Sequence, residues 1–238
     1  MRQLSLLVLL FATRAAAADP ADAPPVDASA AAPRIATGED LAYVVAPASA
    51  SSVALTTAYD GARHDALGRA AAEVSILHRV SVVGGAAHEA NARWRPYLGA
   101  KLAIVPGVAV VVAYKAEGFV EPEGEVEVTA IVGHRVGPAY VMANATYGQD
   151  IDAHERDAEG GAAALMPIGP VIASATARAR FGLGSTTELG ASCDAIADLG
   201  AAFPFDRYAV RAGLGVSMVS AMTLAVGPVA TLSASASF

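Results

Sequence analysis

PVATLSASASF, residues 228–238, is the stretch that decides the fold. Polar and apolar residues take turns along it, in the order Thr231, Leu232, Ser233, Ala234, Ser235, Ala236, Ser237 and Phe238. Successive side chains of a β-strand point to opposite faces, so this alternation predicts a strand with one polar and one apolar face. The last position of this amphipathic strand is aromatic.

The N-terminal residues have the pattern of a secretory signal peptide. Arg2 supplies a positive charge, residues 4–12 (LSLLVLLFA) form an apolar run, and residues 16–18 form a small-residue cleavage site. The apolar run is too short to span a bilayer as a helix. We therefore assign residues 1–18 to a signal peptide and the Ala- and Pro-rich residues 19–51 to a flexible periplasmic segment. A secreted periplasmic protein is the alternative.

The composition favours a membrane protein without membrane-spanning helices. Apolar residues make up 54% of the chain, yet no run approaches the roughly 18 apolar residues of a transmembrane helix. Closed barrels and helices are the structures that satisfy every backbone polar group in lipid, so apolar residues spread over short segments favour a barrel. The single cysteine, Cys193, excludes an internal disulfide, and the net charge of −7 argues against a nucleic-acid partner.

From residue 52 onward the chain is divided into alternating segments of about ten residues, the length of a tilted membrane strand. The connections between these segments alternate between tight turns and longer loops, as expected for short periplasmic turns and longer outer loops. The pattern predicts an all-β fold, an antiparallel up-and-down transmembrane β-barrel over residues 52–238. Its twelve predicted strands are 53–60, 68–77, 79–88, 93–104, 108–117, 124–134, 138–148, 157–167, 171–181, 192–203, 207–218 and 228–238.

A soluble antiparallel sandwich or barrel could show the same alternation. Its polar face would be solvated and rich in Lys, Glu and Thr, whereas this chain contains only Lys101 and Lys115. We therefore prefer the membrane barrel and keep the soluble fold as the alternative.

The alternation also separates a lipid face from a lumen face. An Arg or Lys on the lipid face near the bilayer midplane would cost about 2–4 kcal/mol, so we assign charged residues to the lumen. In residues 124–134, for example, Val126 and Val128 face lipid while Glu125 and Glu127 face inward. The predicted lumen-lining residues are Glu73, Lys101, Lys115, Glu125, Glu127, Asn144, Glu159, Arg178, Arg180 and Arg211.

An interior that carries both signs of charge allows two interpretations. The charged groups either pair across the lumen and fill it, or line a narrow channel for small polar solutes. Twelve strands lie between the eight-stranded barrels that fill their interior and the 16–18-stranded porins that hold an aqueous channel. The sequence leaves both open: a channel, or a closed structural barrel whose loops, above all residues 149–156, bind a partner.

The signal peptide, the alternating strands, the turn–loop asymmetry and the terminal Phe238 together resemble bacterial outer-membrane β-barrel proteins as a general class. The resemblance covers residues 52–238 and points to no single member. It implies secretion to the periplasm, insertion into the outer membrane of a Gram-negative bacterium and contact with outer-membrane lipid. It also implies that the barrel-assembly machinery recognises the last strand, through Leu232, Ala234, Ala236 and Phe238.

The sequence predicts no enzyme, no cofactor and no metal site. None of the five His residues is followed two residues later by Ser, the spacing of the outer-membrane phospholipases. We interpret the acids and His of one loop as a solvated acidic loop, with divalent-cation binding as a weak alternative: Asp150, Asp152, His154, Glu155 and Asp157. The pairs Gly84–Gly85 and Gly160–Gly161 lie inside strands and predict bulges or bends rather than phosphate loops.

Overall fold

The structure is a computed structural model that describes residues 51–89, 93–119, 123–151, 156–183, 193–220 and 223–238. In these ranges the chain forms twelve antiparallel strands that close into one barrel, which confirms the predicted fold class. The predicted signal peptide and residues 19–50 lie outside the described residues. The strands are β1 Ser52–Asp60, β2 Asp65–Leu77, β3 Val80–Glu89, β4 Arg93–Val105, β5 Val108–Ala116, β6 Gly124–Val136, β7 Ala139–Asp150, β8 Arg156–Ile168, β9 Val171–Gly182, β10 Cys193–Phe205, β11 Tyr208–Ser220 and β12 Leu224–Ser237.

Each strand pairs with its neighbours in sequence, and β1 pairs with β12 to close the barrel. The closing register runs from Ser52 opposite Ser237 to Asp60 opposite Val229. The Phe238 amide donates a further hydrogen bond of 2.9 Å to the Ser51 carbonyl. The alternating C-terminal stretch therefore completes the hydrogen bonding of the first strand.

Five tight turns, each of two residues, lie at one end of the barrel, which we call the turn side. The longer connections lie at the other end, the loop side. Gly137 and Gly169 have φ values of +59° and +60° and are each followed by Pro, the backbone that a type II′ hairpin turn requires. Gly is favoured at both positions because it adopts positive φ without a steric cost.

Most predicted strand ends lie within two residues of the observed ones, and the largest differences are at the starts of β2 and β12. β2 begins at Asp65 instead of residue 68 and β12 begins at Leu224 instead of residue 228, because strand pairing continues into segments that do not alternate. β10 extends to Phe205, so the last tight turn is Asp206–Arg207 and not residues 204–206.

The outer face of the barrel is apolar around the strands. Leu199 and Leu214 are 71% and 72% exposed, and most outward positions carry Ala, Val or Leu. Exposed aromatic residues lie at both ends, with Tyr59, Trp94 and Tyr147 on the loop side and Phe203, Phe205, Tyr208 and Phe238 on the turn side. An apolar band between two aromatic girdles matches the lipid-facing surface of a membrane barrel. Within the described ranges, no helix has the length and apolarity needed to span a bilayer.

Glycines allow close approach between neighbouring strands. A Cβ on Gly85 would lie 2.0 Å from the Ala70 carbonyl oxygen, and one on Gly215 would lie 1.9 Å from that of Ala197. The register is continuous through both glycine pairs that the sequence singled out, so neither pair forms a bulge. The register shifts lie instead near two turns, at Ser75/Leu77 and Ala103/Val105.

Candidate functional site

The barrel interior carries charged side chains, and most of them lie towards the loop side. The structure places all ten predicted lumen residues in strands, at positions that alternate with outward apolar neighbours. Lys101 and Arg211 are the most deeply buried, each 1% exposed. Nine of the ten belong to ion pairs with residues of adjacent or nearby strands, and Asn144 is the tenth.

Arg211 of β11 is the centre of a buried polar cluster. Its Nη2 lies 2.5 Å from Asp198 Oδ1 on β10, its Nε donates to Ser174 Oγ on β9 at 2.8 Å, and its Nη1 donates to Thr231 Oγ1 on β12 at 3.1 Å. Thr176 also donates to Asp198. The charge of each partner is thus neutralised and its hydrogen bonds are satisfied at the wall, as a buried ion pair requires.

Lys101 forms a second buried pair on the other side of the barrel. Its Nζ lies 2.8 Å from Glu73 Oε2, and this contact joins β4 to β2 across the intervening strand β3. Nearby, the Arg69 guanidinium lies 4.8 Å from the centre of the Tyr97 ring and donates through Nε to the Tyr97 hydroxyl at 3.3 Å. These contacts hold the long cationic side chains against the wall.

Glu125 of β6 lies between two cations near the loop side. Its Oε1 is 3.3 Å from Arg95 Nη2 and 3.4 Å from Lys115 Nζ. Arg95 also pairs with Glu117 at 3.0 Å, and Lys115 with Glu127 at 3.4 Å. The three strands β4, β5 and β6 are therefore linked by a chain of alternating charges.

Arg63 reaches into the interior from the four-residue connection between β1 and β2. Its guanidinium pairs with Asp60 at 2.9 Å and with Asp194 of β10 at 2.5 Å. Asp60 also accepts hydrogen bonds from the Ala62 amide at 2.9 Å and from Ser217 Oγ at 2.5 Å. Sequence reasoning missed Arg63 because it lies in a loop, where alternation assigns no face.

The remaining predicted cations lie on β9. Arg178 Nε is 3.1 Å from Glu159 Oε2 and Arg178 Nη2 is 3.8 Å from Asp194 Oδ1. Arg180 Nε donates to Asp157 Oδ2 at 2.6 Å. Each cation of β9 thus contacts a carboxylate of β8.

These loop-side ion pairs surround a cavity of about 320 Å³. Its charged lining consists of Arg63, Arg95, Arg156 and Arg180 with Glu117, Glu125, Asp150, Asp157 and Asp194. Asp150 and Asp157, which the sequence assigned to an acidic loop, instead belong to β7 and β8. Asp152, His154 and Glu155 of that loop lie outside the described residues. Among the described residues, no group of three or more His, Cys, Asp or Glu is arranged to hold a metal ion.

Two apolar clusters line part of the interior wall, which the sequence analysis did not predict. Tyr140, Met142, Ala163 and Leu165 form one buried cluster, with Ile172 packed against it. Val83, Ala109, Val111, Ala113 and Ile131 form another. We call these two clusters the apolar lining. The sequence indicates the apolar lining at β5, where residues at inward as well as outward positions are apolar.

A closed barrel of twelve antiparallel strands, apolar outside and charged within, has the architecture of a transmembrane β-barrel, the fold of the bacterial outer-membrane class. No protein-family model matches the sequence, and a search of curated proteins gave no match.

Three solved structures illustrate what the chain is similar to. Pseudomonas aeruginosa OpdQ is 11% identical over 73% of this chain and 57% of that chain, with a TM-score of 0.40. Pseudomonas aeruginosa OpdK with vanillate is 11% identical over 76% and 71%, with a TM-score of 0.37. A bacterial polysaccharide outer membrane secretin is 8% identical over 82% and 99%, with a TM-score of 0.43. This chain thus spans little more than half the length of OpdQ.

Proposed function

We propose that the protein is a narrow channel for small polar solutes in the outer membrane of a Gram-negative bacterium. The observation that carries the proposal is the cavity of about 320 Å³ at the loop-side end of a closed barrel, lined by charged groups of both signs. The apolar outer face supports the membrane location, and the predicted signal peptide supports secretion to the periplasm before insertion. The proposed function involves no catalysis and no cofactor.

We call the residues that line the loop-side cavity the mouth of the barrel. Their ion pairs explain how the mouth would accept polar solutes without trapping them. A lone buried charge would bind a counter-ion strongly, whereas paired charges leave a polar wall with little net charge. Arg95, Lys115 and Glu125 illustrate this, because each cation lies within 3.4 Å of the same carboxylate. Passage requires binding weak enough for the solute to leave again, which a neutralised wall provides.

Ionic current through a planar bilayer tests the proposal. We expect protein extracted from outer membranes to give discrete and reproducible conductance steps in potassium chloride. Glu127→Gln, which removes a carboxylate that is 15% exposed in the interior, should shift the reversal potential towards anion selectivity. Asp206→Asn is the matched control, since this carboxylate is 90% exposed at the turn side and should leave the selectivity unchanged.

A closed barrel is the second candidate, and the apolar lining favours it. Ile131 and Leu165 have no exposed surface, and Lys101 and Arg211 are almost as inaccessible. The loop-side cavity would then be a binding pocket that ends inside the barrel. Protein that inserts and shows the heat-dependent gel shift of a folded barrel, yet carries no current, would contradict the channel and establish the closed barrel.

A further inference from the structure

On β7, Asn144 lies where the inward residues change from polar to apolar. On its own strand, the next inward residue on the loop side is Thr146, whose hydroxyl is 2.8 Å from that of Thr129. The next inward residue on the turn side is Met142, which belongs to the apolar lining. Across the ladders, Asn144 is opposite Ile131 on β6 and Gly161 on β8.

The Asn144 side chain is buried without a partner. The residue is 7% exposed, and among the described residues neither Nδ2 nor Oδ1 has a hydrogen-bond partner. No other described residue leaves two buried side-chain polar atoms without a hydrogen bond. Buried polar groups in folded proteins are nearly always hydrogen-bonded, because water can no longer satisfy them. The amide therefore offers both a donor and an acceptor to a molecule that enters the interior.

The surroundings of Asn144 favour an uncharged molecule. Asn144 carries no charge, and the opposite residues Ile131 and Gly161 supply no side-chain polar atom. The charges at the adjoining ladder positions, Glu159 opposite Thr146 and Arg178 opposite Gly161, neutralise each other in an ion pair of 3.1 Å. A charged solute that moved on to the apolar lining would lose its hydration without compensation, at a far greater cost than an uncharged polar solute. The charged residues of the mouth, in contrast, are engaged in ion pairs with each other.

From this juxtaposition we infer that Asn144 binds uncharged solutes that carry a hydrogen-bond donor and acceptor, such as amides, at the entrance to the apolar lining. The inference deepens the proposed channel function and rests on it. The Asn144 amide replaces hydrogen bonds to water that the solute loses at this point, and so favours uncharged amides over ions of similar size.

The test compares two probes of nearly equal size, N-acetylglycinamide, which is uncharged, and N-acetylglycine, which is an anion at neutral pH. Entry of each is measured in liposomes that contain the full-length protein extracted from membranes. Asn144→Leu removes the amide and keeps the branched shape of the side chain, and Asn144→Ala removes it without adding bulk. Both should lower the ratio of amide entry to anion entry about fivefold, the effect of one lost hydrogen bond.

Gln149→Leu is the matched control, because it removes an amide from the same strand at an outward position, where Tyr147 donates to it. It should leave the ratio unchanged. Each variant is first checked for the gel shift of the folded barrel. Entry of both probes with an unaltered ratio in the folded Asn144 variants would overturn the inference and leave the channel intact. Folded wild-type protein that admits neither probe would overturn the channel and the inference together.

Discussion

At the scale of single residues, the interior shows which charges the sequence could assign and which it could not. Glu125 and Glu127 alternate with valines that must face lipid, so their direction was readable. Arg63 could not be assigned, because its position inside the mouth depends on how a short connection folds back onto Asp60 and Asp194. The lack of a partner for Asn144 depends on three strands at once, and no single strand pattern reports it.

Arg211 supports a prediction about stability. Arg211→Met should destabilise the folded barrel by about 3–5 kcal/mol, because it leaves the Asp198 carboxylate buried without a cation. The measurement is the urea concentration at which half of the protein in detergent loses the gel mobility of the folded, unboiled barrel. The double variant Arg211→Met/Asp198→Leu should regain much of the loss.

Arg207→Met is the control, since Arg207 is 57% exposed at a turn. A single Arg211 variant as stable as wild type would show that the pair contributes nothing to the folded state.

Gly215 supports a second prediction at this scale. Gly215→Ala should lower the free energy of unfolding by about 1–3 kcal/mol, because the new Cβ would meet the Ala197 carbonyl oxygen at 1.9 Å. The yield of folded barrel should fall as well. Gly160→Ala is the control, since the nearest atom to its Cβ is 3.9 Å away. Equal yields of the two variants would contradict the packing argument.

At the scale of elements, the sequence predicted the number, order and type of the strands. Each strand pairs its backbone groups with two neighbouring strands, so the same side-chain pattern recurs in all of them. Period-two alternation reports a lipid face and a lumen face wherever both exist. The alternation did not predict the first residues of β2 and β12, because the ladder there continues through residues such as Leu224 and Ala225 that do not alternate. Hydrogen bonding between strands, which a local pattern cannot report, sets these ends.

The last strand carries the prediction about assembly. Deletion of Phe238 should lower the amount of protein in the outer membrane while removal of the signal peptide proceeds normally, because β12 with its terminal aromatic is the proposed signal for the barrel-assembly machinery. Quantifying the heat-modifiable form in isolated outer membranes tests this. Phe205→Ala, at an exposed turn-side aromatic away from the terminus, is the control. Normal levels of the truncated protein would contradict the proposed role of Phe238.

At the scale of the whole molecule, most interior charges lie towards the loop side, and the apolar lining occupies β3 and β5 to β8, where Val83 and Val111 are opposite Glu73 and Lys101. The sequence predicted inward and outward faces but not this distribution. Position along the axis depends on how far each strand is shifted against its neighbour, and that shift follows from closure of all twelve strands. The two candidate functions differ in whether solutes pass the apolar lining, which the current measurement decides.

The pairing of β1 with β12 has a kinetic consequence. Ser52 and Ser237 are separated by nearly the whole described chain, so this contact has the longest sequence separation of any strand pair in the barrel. Contacts between distant residues form slowly, because the chain must lose much of its conformational entropy before they are made. Until this last contact forms, two strand edges remain open, with backbone groups that lipid cannot satisfy. We therefore expect the contact between the first and the last strand to be the slowest to form, and its formation removes the two open edges of the sheet.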